Sequence, residues 1–73
     1  MPNLPLTQGE IAELQAQLHD LQTEHRDLDN VINRLALSPP PDELLIRRLK
    51  KRKLSLKDRI QHLERLLVPD VPA

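Results

Sequence analysis

Cysteine is absent from this chain, as are tryptophan, tyrosine and phenylalanine, and glycine occurs once, at Gly9. Each absence excludes something. Without cysteine, neither a disulfide nor a cysteine-based metal site can brace a chain of 73 residues, a length at which one core is marginal. Without aromatics there are no large core anchors and no stacking platforms for bases. A single glycine supplies no Gly-rich phosphate loop. No apolar run approaches the ~18 residues needed to cross a bilayer. The start, MPNLPLTQGE, lacks the basic and apolar regions of a secretory signal, so cytoplasmic residence is the expectation. What is abundant is Leu, Gln, Glu, Lys and Arg, the composition of long helices.

The order of those residues sharpens the expectation. Ile11, Leu14, Leu18, Leu21, His25, Leu28, Ile32 and Leu35 follow one another in steps of 3 and 4 without a fault. A seam repeated over that many heptads predicts a coiled-coil helix rather than a strand. Thr7 stands three residues before Glu10, the spacing of a capping box at a helix start. SPPPDE (38–43) ends this helix, because three successive prolines remove backbone donors and push their predecessors out of the α region. Pro41, Asp42 and Glu43 suit the beginning of a second helix. Its seam is Ile46, Leu49, Lys53, Leu56, Ile60, Leu63 and Leu67, again in steps of 3 and 4, and VPDVPA closes it.

The expected fold is therefore all-α, an antiparallel, coiled-coil-like αα-hairpin. It comprises a flexible lead-in at 1–6, a helix at 7–37, a Pro-rich turn at 38–41, a helix at 42–68 and a flexible tail at 69–73. In an antiparallel pair, facing residues have residue numbers of constant sum. A sum of 81 matches every seam residue from Leu14 to Leu67 with a seam partner, His25 facing Leu56 and Leu28 facing Lys53. Near that register, Glu24 is expected to pair with Arg59 and Asp29 with Lys50, and Asp29 lies within reach of Lys53 as well. The charge distribution agrees: residues 7–37 carry −4 and residues 42–67 carry +5 in a chain of zero net charge. Val31, Leu44, Leu45, Leu54 and Leu66 fall off the two seams, so a homodimer in a four-helix arrangement is expected to hide them.

Functional candidates are few. His25 and Asp29 lie four apart on one helix, and Asp58 and His62 repeat the spacing on the other, but the register does not converge four ligands, so no metal site is expected. Ser38 and Ser55 have no base beside them and a helical hairpin has no cleft, so neither catalysis, a cofactor nor a small-molecule substrate is expected. Arg47, Arg48, Lys51 and Arg52 form a candidate anion-binding face, making nucleic acid a second, less favoured partner after an unidentified protein. A membrane-surface role is not expected, since the apolar stripe is committed to the seam. The polar guests His25 and Lys53, with Asp29 and Lys50 beside them, read as a register device: a slip would bury them without partners. A protonation switch at His25 is the sharper alternative.

HRDLDNVI (25–32) and, beyond a proline-bearing connection, LKKRKLSLKDRI (49–60) resemble the YdcH-like family of small bacterial proteins of unknown function. The resemblance rests on His25, Leu28 and Asp29, then Lys50, Lys51, Lys53, Leu54, Leu56, Lys57 and Asp58. Arg52 stands where an acidic residue is common in that family, and SPPP is an unusually stiff connector. The resemblance implies a cytoplasmic helical hairpin and no known activity or cofactor.

Overall fold

A computed structural model describes residues 5–67. Two helices account for nearly all of them, α1 (Gln8–Leu37) and α2 (Glu43–Leu67). The flexible lead-in and tail expected at the ends fall largely outside the described residues, as does Val68 at the expected end of the second helix.

Each helix begins where side-chain chemistry satisfies the free backbone donors. At α1, Thr7 is the cap. Its backbone N donates to Glu10 Oε1 at 3.0 Å, and the Glu10 backbone N donates to Thr7 Oγ1 at 3.1 Å. That is the capping box the TQGE spelling predicts. At α2 the cap is Asp42, whose Oδ1 accepts from the Leu45 backbone N at 3.0 Å. The helix therefore starts at Glu43, one residue later than expected, because Asp42 serves better as a cap outside the helix than as its first residue. Ser38 closes α1. Its backbone N donates to the Leu35 carbonyl at 3.4 Å and its Oγ to the Arg34 carbonyl at 3.1 Å.

Five residues, 38–42, separate the helices. A connection that short returns α2 along α1, giving an antiparallel hairpin 54 Å long and 25 by 21 Å across. Its cross-section is that of two helices side by side.

Burial follows the two seams. All eight seam positions of α1 and all seven of α2 are buried or half-buried. Within the helices the one other residue withdrawn from solvent to that degree is Asp29. His25 and Lys53 belong to the pattern despite their polarity. Among the described residues only Ile32, Leu56 and Leu63 are buried, Leu56 most completely at 1% exposure. A two-helix seam covers each side chain from one direction and leaves its flanks to water. The five off-seam residues Val31, Leu44, Leu45, Leu54 and Leu66 are exposed as expected, and Leu37 is exposed with them.

Candidate functional site

Helical phase divides the surface beside the seam into two faces, and a shallow groove marks each. Positions repeating every seven residues share a side of the helix. Gln22, Lys50, Lys57 and Glu64 lie on one side of the seam, with His25, Lys53, Leu54 and Ile60 between them, around a groove of about 650 Å³. Gln17, Asp20, Arg52, Ser55 and Arg59 lie on the other, above Leu21 and Leu56, around a groove of about 280 Å³.

The polar layer opens onto the larger groove. Lys53 occupies a seam position, keeps its stem among apolar neighbours and turns its ammonium to the rim, where Nζ donates to Asp29 Oδ1 at 2.5 Å. The hydrogen bond from Lys53, reinforced by its charge, holds the Asp29 carboxyl below the usual carboxylate range. This contact also explains why Asp29, off the seam, is half-buried. His25 lies one turn before Asp29 on α1. Its Nε2 is fully buried and has no hydrogen-bond partner. An imidazole nitrogen turned into a seam without a partner gives up its hydration and gets nothing back.

One expected ion pair is corrected and another is decided between its two candidates. Of the two lysines within reach of Asp29, Lys53 pairs with it, and Lys50 is exposed with no ion pair among the described residues. Glu24 pairs with Arg52, Nη2 to Oε1 at 3.2 Å, rather than with Arg59. Arg52 and Arg59 share one side of α2, a heptad or roughly 10 Å apart. The sum of 81 treats each helix as a line and assigns edge residues the same level as seam residues. The observed pairs have sums of 76 and 82, so the pair that includes the seam residue Lys53 keeps the seam's level and the edge pair Glu24–Arg52 departs from it by five residues.

The candidate anion-binding residues divide. Arg47, Arg48 and Lys51 are exposed and form no ion pair among the described residues, whereas Arg52 is held by Glu24. His19 and His62 are exposed on outer faces. Among the described residues, no three His, Asp or Glu side chains gather around one point that an ion would occupy. No helix among them is long and apolar enough to cross a membrane. Sequence reasoning missed Gln22, Lys57, Gln61 and Glu64 as neighbours of the polar layer. The signal was present: Lys57 follows Lys50, and Glu64 follows Lys57, by seven residues.

The fold is thus that of an antiparallel helical hairpin with a polar layer at mid-length. A family profile described as "Protein of unknown function (DUF465)" matches residues 18–64, more than half of the chain. The chain belongs to that family. YdcH is a member of it, so the resemblance carried by HRDLDNVI and LKKRKLSLKDRI, both inside the matched span, holds. No curated protein and no solved structure matches the chain.

Proposed function

We propose that this protein is a non-enzymatic, cytoplasmic interaction module that self-associates and presents its remaining surface to a protein partner. The observation that carries the reading is the mismatch between seam and cover. Among the described residues, fifteen side chains turn toward the seam, yet three are buried, while six large apolar residues lie in solvent. A hairpin this thin leaves apolar area that a second copy would remove from water, at about 25 cal/mol per Å². The surface grooves are open and hold no paired nucleophile and base, which favours binding over chemistry. Sedimentation equilibrium at tens of micromolar tests the self-association: a dimer is expected, and a stable monomer would overturn it.

A second reading, association with nucleic acid, draws its support from Arg47, Arg48 and Lys51, exposed cations with no partner among the described residues. On this reading a duplex gel shift appears at low salt and fades steeply as salt rises, and Arg47→Ala/Arg48→Ala/Lys51→Ala flattens that slope. Absence of any shift at low salt would remove it.

A further inference from the structure

We infer that the dimer forms on the face of the smaller groove, with α1 of each copy lying over α2 of the other and both Pro-rich connections at the same end. This inference rests on the self-association proposed above and names the surface and the symmetry that accomplish it.

The smaller groove shows which residues share this face: Gln17 and Asp20 from α1, Arg52, Ser55 and Arg59 from α2. Extending the same helical phase along α1 gives Glu10, Glu13, Asp20, Glu24 and Asp27, an acidic stripe that ends at Val31 and Arg34. Extending it along α2 gives Arg48, Arg52 and Arg59, flanked by Leu45 and Leu66. One face therefore carries an acidic stripe, a basic stripe beside it, and three of the six exposed large apolar residues. The opposite face has no such self-complement. Its α2 stripe holds Arg47, Lys50, Lys57 and Glu64 around Leu54, and its α1 stripe is mostly Gln, Ala and Asn with Arg26 and Asp29. Two copies meeting there would set a mainly cationic stripe against one with no net charge, whose carboxylate, Asp29, is already held by Lys53.

Two hairpins meeting face to face with two-fold symmetry have two ways to stack. An axis across the helices puts α1 over α1, and five carboxylates then oppose five carboxylates. An axis along the helices puts α1 over α2 of the second copy, so the acidic stripe meets the basic one twice. Charge selects the second arrangement. That axis leaves heights along the hairpin unchanged, so levels set within one copy carry across to the other. The Glu24–Arg52 ion pair marks one such level. The same offset sets Val31 against Leu45 of the second copy and brings Asp27 and Asp20 near its Arg48 and Arg59. Four apolar side chains then cluster near the connections, with opposite charges in register beyond them.

The experiment uses variants that leave both observed ion pairs intact. Glu13→Lys/Asp20→Lys/Asp27→Lys reverses the acidic stripe, and Arg48→Glu/Arg59→Glu reverses the basic one. Each alone is expected to weaken self-association by at least about tenfold, because like charges then face each other. Mixed in equal amounts, the two are expected to form a heterodimer, in which both contact zones regain opposite charges. Lys50→Glu/Lys57→Glu on the other face changes the net charge by the same amount as Arg48→Glu/Arg59→Glu and is expected to leave the wild-type dimer intact. Circular dichroism checks that each variant is helical.

A separate measurement avoids charge reversal altogether. The native chain has no cysteine, so a spin label at Ser38→Cys reports the separation of the two connections. A distance near the 25 Å width of the hairpin is expected, rather than its 54 Å length. If the wild type is dimeric but the stripe variants associate normally, do not prefer each other, or give the long distance, this interface is wrong while self-association stands. A monomeric wild type would remove both.

Discussion

Truncating Leu56 to alanine should do more damage than any equivalent truncation off the seams. Leu56 is 1% exposed, the most deeply buried side chain among the described residues, and it forms part of the floor of the smaller groove. Replacing its isobutyl group by methyl forfeits the transfer free energy of three carbons and leaves a cavity that two straight helices cannot close without bending. Buried Leu→Ala changes cost about 2–5 kcal/mol. In a domain of this size each kcal/mol lowers the melting midpoint by about 4–8 °C, so a fall of at least about 10 °C is expected. Leu44→Ala is the control. Leu44 is 67% exposed, and its truncation should stay within about 0.5 kcal/mol. Leu56→Met, which nearly conserves volume, should cost less than about 1.5 kcal/mol and fall between the two. Far-UV circular dichroism is the assay, because a chain without aromatics offers no near-UV signal. All variants are to be compared at one protomer concentration, since the proposed self-association would make the midpoint concentration-dependent. Should Leu56→Ala melt alongside Leu44→Ala, the seam would not be what holds the helices together.

Gly9 is helical, its φ is not positive, and an added Cβ would meet only Thr7 Oγ1 at 3.9 Å, so Gly9→Ala should stabilise the protein by about 1 kcal/mol in thermal melts. Thr7→Ala removes the acceptor for the Glu10 backbone N and should destabilise by about 1 kcal/mol, lowering helicity near the start of α1 in residue-resolved NMR shifts. The carboxyls of Asp29, held by Lys53, and Glu10, held by the Thr7 backbone N–H and then its hydroxyl, both lie below their ordinary range. The folded chain therefore binds these protons more weakly than the unfolded one. Stability should be fully present above pH ~4–5 and decline as pH falls through and below ~4, with a shallower decline in melting midpoint for Asp29→Asn. His25→Leu removes a buried unpartnered nitrogen from the seam and should raise stability by about 1–3 kcal/mol. Unchanged melting, pH response and oligomeric state in that variant would refute both the register and the switch readings of His25.

Most of the fold was legible because a heptad seam is a one-dimensional property. The steps of 3 and 4 specify which side of each helix turns inward, and no tertiary information is needed to read them. His25 and Lys53 kept their seam places, though a polarity scale would have put them outside. What was not legible was level. A seam residue sees its facing helix through a short side chain, so its partner follows from position alone. Edge residues reach across with long side chains, and a partner one turn or one heptad away competes on equal terms. Glu24 took Arg52 rather than Arg59, and Asp29 took Lys53 rather than Lys50, for this reason. The grooves were hidden by the same limit, since they are assembled from edge residues of both helices. Their lining follows from the heptad phase only once the two edges are told apart.

The Asp29–Lys53 pair gives the polar layer a definite meaning for register. Apart from Asp29, the positions of α1 at its phase in neighbouring heptads are Gln15, Gln22 and Ala36, none of them a carboxylate. A slip of one heptad still sets most seam leucines against a leucine or isoleucine, so the apolar seam alone discriminates poorly against it. The same slip carries Lys53 from Asp29 to Gln22 or Ala36 and leaves an ammonium at the seam edge without its counter-charge. It also separates Arg52 from Glu24 toward Gln17 or Val31, at the corresponding phase on the other edge. Both edges therefore penalise the slip that the seam permits. His25 contributes differently: with no partner for its Nε2, it weakens the layer in the observed register. The specification comes from the rims, and the imidazole makes the seam less able to override them.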